Sequence, residues 1–186
     1  MQKTKNMKIA CIGWGSLIWR PETLLIHRKW YEDGPVLPVE FARQSRDGRL
    51  TLVILKNSKP VRTMWALMLT DNLEEAKKSL LDRESIPENK MEEYIGVIKS
   101  DDETKDEISQ TIKEWLNKLD LDAAIWTNLP PKFKKENNKA PTLEEALTYL
   151  KNLKINTFQT AIEYINKTPK QIDTPYRQGI EKEFNL

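Results

Sequence analysis

One cysteine and one histidine are all that 186 residues contain of the two side chains most used to hold transition metals. The single Cys11 excludes an internal disulfide and any cysteine-based zinc site, and it fits a reducing compartment. The single His27, in LLIHRKW, excludes a site built from two imidazoles and is read as a surface or packed residue. No metal and no cofactor is expected. Charge of one sign is missing too: 30 Lys and Arg stand against 28 Asp and Glu, a net charge of +2 spread along the chain, so nothing marks a nucleic-acid partner. Long apolar runs are also missing. The nearest, IACIGWGSLIW, is interrupted by Gly13 and Gly15 and ended by Arg20-Pro21, short of the ~20 residues of a membrane span. The basic MQKTKNMK ahead of it imitates a secretory signal, but no small-residue cleavage site follows. A cytoplasmic protein without a membrane partner is expected, and the oligomeric state stays open.

What is present suits one folded domain over 1–186, with residues 1–6 as a flexible tail. Hydrophobic residues are 39% and charged residues 31%, and six Trp, five Tyr and four Phe supply large surfaces for a core or a site. Strands are predicted at 8–12, 36–45, 50–55, 61–69, 92–98 and 123–128 from apolar runs and alternation. Asp47-Gly48 between two of them signals a two-residue hairpin turn with both residues at positive φ, and Pro38 signals an edge or a bulge. Helices are predicted from Asn72 to about Arg83, over 104–119 with Ile108, Ile112, Trp115 and Leu119 on one face, after Thr142, over 158–165, and from Thr174-Pro175. PPKFKKENNKAP, 130–141, reads as a long polar loop of the kind that serves binding or lid roles.

Two stretches carry candidate chemistry. Gly13-Trp14-Gly15-Ser16-Leu17 follows a buried strand, and glycines at a strand end let backbone N–H groups turn toward an anion or a developing oxyanion. The third glycine of a dinucleotide loop and the Gly-Lys-Ser/Thr of a phosphate loop are both absent, so a plain turn is the alternative. Glu84 ends a predicted helix in LLDRESIP, after the apolar pair Leu80-Leu81. Partial burial at such a junction raises a carboxyl toward the range useful for proton transfer, and a structural carboxylate is the alternative. Arg43 and Arg46 could meet a substrate carboxylate or be solvated. Trp19 and Trp126 could belong to the core or to a cage.

The pair GWGSLIWRP and, some 65 residues later, DRE at a helix end resembles the γ-glutamylcyclotransferase superfamily. Its glutathione-specific (ChaC-like) group begins with a similar Y-G-S-L-[IM]-W-x-P segment and carries an R-E motif. Bacterial members of the superfamily show GWGSLIW, PVEFAR-SRDGRLTLV, a W-T-LPP-F segment and a late IDTPYR, as at Pro38 to Val53, Trp126 to Phe133 and Ile172 to Arg177 here. The resemblance implies an α+β fold built on a small mixed β-barrel with flanking helices, and a pocket between the 13–17 loop and Glu84. Gly13, Trp14, Gly15, Ser16 and Leu17 would bind a glutamyl group, Glu84 would be the acid/base, and Tyr176 would offer a hydroxyl. The implied reaction is release of 5-oxoproline from a γ-glutamyl amine or peptide, with no metal. A non-catalytic module that holds a small carboxylate or amine is the rival, and another amide-cleaving lyase on the same scaffold a third reading. Trp14 stands where the family has Tyr, and Ser85-Ile86-Pro87 where it has a Gly-Gly-Tyr type continuation, so the leaving amine is left open.

Overall fold

The computed structural model describes residues 6–186. All of the expected tail except Asn6 lies outside the described residues. Along the chain the elements are β1 (Ile9–Gly13), β2 (Val36–Leu37), β3 (Val39–Gln44), β4 (Leu50–Ile54), β5 (Val61–Arg62), β6 (Met64–Leu67), α1 (Leu73–Glu84), a 3-10 turn at Glu88–Lys90, α2 (Met91–Tyr94), β7 (Ile95–Lys99), α3 (Glu107–Lys118), β8 (Ala123–Thr127), β9 (Lys132–Phe133), β10 (Glu136–Asn137), α4 (Leu143–Lys151), α5 (Ile155–Lys167) and α6 (Pro175–Phe184). The class is α+β. The chain divides into two compact units. One holds the chain up to Gly13, Pro21–Val36 and Arg62–Asn128, and the other holds Trp14–Arg20, Leu37–Val61 and Leu129–Leu186.

In the first unit the sheet order is β6-β1-β8-β7. β1 is central, antiparallel to β6 and parallel to β8, so every residue of IACIG is buried. That explains a near-continuous apolar run where an edge strand would alternate. Gly96 and Trp126 are cross-strand partners on β7 and β8. A Cβ on Gly96 would lie 2.1 Å from the indole, so the glycine makes room for the tryptophan's close approach. Helix α3 buries Ile112, Trp115 and Leu116. Its Trp115 meets Trp65 edge-on at 5.5 Å, and both indole N–H groups donate to Asp33, at its carbonyl (2.7 Å) and carboxylate (2.8 Å).

In the second unit the order is β10-β9-β3-β4. β3 and β4 form the expected hairpin, with a bulge between Phe41 and Arg43. Its turn differs from expectation. Only Gly48 has positive φ (87°), while the Gly48 amide donates to the Ser45 carbonyl and the Ser45 amide to the Arg49 carbonyl. The result is a longer turn closed by one left-handed glycine. The Asp47 carboxylate bonds to Ser45 and Arg49, and those side-chain bonds replace a left-handed conformation at Asp47. Helices α4, α5 and α6 complete the unit. Thr142 and Glu145 form a reciprocal capping box, and Thr174 caps α6 with Pro175 in its first turn.

Among the described residues no closed barrel is found, and the class stands as α+β. Several local expectations are corrected. Pro38 and Thr63 interrupt the predicted strands, giving β2 with β3 and β5 with β6. The Thr63 amide and hydroxyl both bond to the Pro35 carbonyl, at 3.1 and 2.7 Å. The strand predicted at 92–98 starts only at Ile95, because Met91–Tyr94 is helical. The polar segment 130–141 holds the β9–β10 hairpin, turned on left-handed Lys134 and Lys135 and anchored by fully buried Phe133, whose ring meets Tyr149 edge-on at 5.7 Å. Asn72 caps α1 by accepting from the Glu75 amide, but the Glu75 carboxylate turns to the Thr70 hydroxyl and does not close the box.

Candidate functional site

Glu84 is the last residue of α1, in the first unit. Ser85 follows at φ 53°, its amide bonding back to Asp82, while the Ile86 amide bonds to Leu81. This left-handed stop ends the helix and sends the apolar Ile86 inward, leaving the Glu84 side chain only 18% exposed. The Arg83 guanidinium, 9% exposed, donates to Glu84 Oε1 at 2.9 Å. Burial pushes the Glu84 carboxyl above its ordinary value against the pull of Arg83, and the Glu22 carboxylate adds to the rise. A carboxyl so held takes and returns protons closer to neutrality than an ordinary glutamate, with a guanidinium to steady its charged form. Cys11, fully buried in β1, has its thiol pushed up to about 12, first by burial and then by the charge of Glu84, with Arg83 opposing. It is a core residue and no nucleophile at neutral pH.

The 13–17 loop is divided between the units: Gly13 ends β1 opposite Met64 in the first, while Trp14, Gly15, Ser16 and Leu17 belong to the second. In the second unit the chain turns tightly, the Ile18 amide donating to the Gly15 carbonyl (3.0 Å) and the Arg20 amide to the Ser16 carbonyl (2.8 Å). Trp14, Gly15 and Leu17 are buried and Ser16 is half-buried. The Trp14 indole N–H donates to the Leu52 carbonyl at 3.1 Å. A Cβ on Gly15 would lie 2.3 Å from the Tyr164 hydroxyl, so the second glycine of the motif makes room for a tyrosine of α5. That hydroxyl also accepts the Leu52 amide at 3.4 Å, and Trp19 meets the Tyr164 ring edge-on at 5.3 Å. Tyr164 was missed in the sequence, although a glycine flanked by bulky residues is a signal that something large approaches.

Tyr176 lies in the first turn of α6. Its hydroxyl donates to the Pro141 carbonyl at 2.7 Å, and its amide donates to Glu40 Oε2 at 3.2 Å. Burial, followed by the nearby Glu40 and Glu145 charges, raises its phenol. Glu40 was also missed. It sits in β3, 1% exposed, and accepts from the Phe41 amide (2.8 Å), the Thr174 hydroxyl (2.6 Å) and Tyr176. Desolvation outweighs these three bonds and raises its carboxyl. A charged residue inside the apolar run of VEFA was the readable signal. PVEFAR and IDTPYR are thus tied together by the carboxylate of one and the helix start of the other. Arg177 completes the joint, donating to the Pro169 and Ile172 carbonyls and to Glu181.

The remaining candidates fall elsewhere. Arg43 donates to the Pro130 carbonyl at 2.7 Å and Arg46 is exposed. Trp126 is 5% exposed beside Gly96, and its buried indole N–H has no hydrogen-bond partner among the described residues. His27 is exposed, its backbone bonded to Leu67. Among the described residues no group of three or more His, Cys, Asp or Glu could hold a metal ion, and no helix is long and apolar enough to cross a membrane. No family model, no curated protein and no solved structure matches this chain.

Proposed function

We propose that this chain is a γ-glutamylcyclotransferase-like enzyme in which Glu84 is the acid/base. The observation that carries the reading is the state of that carboxyl: nearly buried at a helix end, raised by burial, and bonded to Arg83. In the reaction, the Glu84 carboxylate removes a proton from the α-ammonium of a γ-glutamyl group. The freed amine attacks the γ-carbonyl of the same molecule and a new C–N bond closes the five-membered ring. Glu84 gives its proton to the departing nitrogen as the amide C–N bond breaks, and the extra proton left on the ring nitrogen goes to the released amine, which departs as its ammonium. The products are 5-oxoproline and an amine, and the reaction needs no redox partner. The family resemblance assigns the glutamyl group to Gly13, Trp14, Gly15, Ser16 and Leu17, and the mixed-barrel fold belongs to the same assignment.

The test is to incubate the protein with a panel of γ-glutamyl amines and peptides and to quantify 5-oxoproline. Wild type should release it, and Glu84→Gln should lower the rate by at least about a hundredfold, the usual scale of a lost general base. A Glu84→Gln protein with full activity would refute the acid/base assignment. If nothing in the panel turns over while a γ-glutamyl compound still stabilises both proteins against heat, the binding-module reading replaces this one.

A further inference from the structure

The outer edge of a sheet leaves backbone groups that must find partners. β4 is an edge strand of the second unit's sheet, and Leu52 lies opposite Phe41 in the hairpin register. Both backbone groups of Leu52 are taken by side chains from outside the sheet: its carbonyl accepts the Trp14 indole N–H at 3.1 Å, and its amide donates to the Tyr164 hydroxyl at 3.4 Å. The same hydroxyl occupies the space a side chain would need at Gly15, and the Tyr164 ring lies edge-on to Trp19 at 5.3 Å and to Phe41 at 6.2 Å. The loop and the strand edge therefore share one phenol group, delivered by the tenth residue of a thirteen-residue helix.

We infer that Tyr164 is the positioning residue of the 14–17 loop: its hydroxyl, seated against Gly15 and bonded to Leu52, holds the loop in the shape that receives the glutamyl group. The inference rests on the reading of that loop given under Proposed function. Only a residue without a side chain can sit under the phenol, which accounts for Gly15. A bulky indole on the preceding residue can reach the same strand, which gives Trp14 a role besides contact with substrate. The bound glutamyl group keeps its carboxylate from ground state to transition state, so a misplaced loop weakens binding in both and moves KM more than kcat.

The experiment uses Tyr164→Phe, which keeps the ring and removes the hydroxyl. Amide hydrogen exchange followed by mass spectrometry should show residues 14–20 and Leu52 opening about five- to tenfold faster, with the first unit's sheet unchanged. For a γ-glutamyl amine that wild type cleaves, KM should rise about five- to tenfold while kcat stays within about twofold. A substitution that merely loosened the fold would lower the amount of active protein and leave KM in place. Unchanged exchange in the loop overturns the inference, as does faster exchange with an unchanged KM. If wild type cleaves nothing in the panel, the cyclotransferase reading fails together with the substrate part of this inference; the loop-holding part is then decided by the exchange result alone.

Discussion

Replacing Glu40 tests whether a buried carboxylate holds α6 onto β3. The carboxylate accepts from the Phe41 amide, the Thr174 hydroxyl and the Tyr176 amide at 2.8, 2.6 and 3.2 Å, with the residue 1% exposed. Glu40→Ala strands the buried Phe41 amide, the part-buried Tyr176 amide and the Thr174 hydroxyl, and each orphaned donor costs about 1–3 kcal/mol. Relief from burying a charge, visible in the raised carboxyl, offsets part of that. A net loss of about 2–5 kcal/mol is expected, and at roughly 2–4 °C per kcal/mol in a chain of this size Tm falls by about 4–20 °C. Glu40→Gln keeps an acceptor for Phe41 and Thr174 but turns an NH2 toward the Tyr176 amide, so it loses about 1–3 kcal/mol. The pH dependence has a definite sign. Because the folded state holds this proton more tightly than the unfolded chain, the stabilising contribution is complete below pH 4.5 and is lost as pH rises through the folded value. In urea unfolding from pH 4 to pH 7 the Glu40 part of the slope should be missing from Glu40→Gln, leaving the part set by the raised Glu84 carboxyl. An alanine variant within about 1 kcal/mol of wild type, or a glutamine variant with the wild-type slope, refutes the reasoning.

Gly15→Ala sets a methyl 2.3 Å from the Tyr164 hydroxyl and should lower stability by about 1–3 kcal/mol. In the Tyr164→Phe background the nearest ring carbon is at 3.3 Å, so most of that loss should disappear in a urea double-mutant cycle; simple additivity would contradict the close contact. Ser85→Gly relieves a left-handed serine at φ 53° and should raise the urea midpoint, worth about 0.5–1 kcal/mol. The Cys11 thiol should resist iodoacetamide at pH 8 until the chain is unfolded. Stability should fall as pH climbs from about 9 toward about 12, because the folded state retains the thiol proton longer, and Cys11→Ala should remove that alkaline loss.

The local grammar of the chain was readable because it depends on near neighbours. Asn72, Thr142 and Thr174 cap helices as their positions suggested, Pro175 sits in a first turn, and the alternation around Asp47-Gly48 made a hairpin. Glu84 was readable as a carboxyl at the junction of helix and loop, and its raised state follows from that position. Some misreadings were local, as where the Asp47 carboxylate bonds Ser45 and Arg49 or Met91–Tyr94 turns helical, and others turned on a distant partner. Phe133 draws a polar segment into a hairpin beneath Tyr149, and the bonds of Thr63 to Pro35 divide a run that looked continuous.

Composition and pattern were enough to place most of the strands and helices and the capped helix starts and to exclude a cysteine framework, and they drew attention to the stretches around Gly13 and Glu84. Folding assigned the partners. Gly15 is a glycine because a tyrosine 149 residues later needs its space, and Glu40 is tolerated in a buried strand because α6 returns 134 residues later to bond it. Hydrogen bonds and van der Waals contact act over a few ångströms, and which residues come within that distance depends on the path of the whole chain.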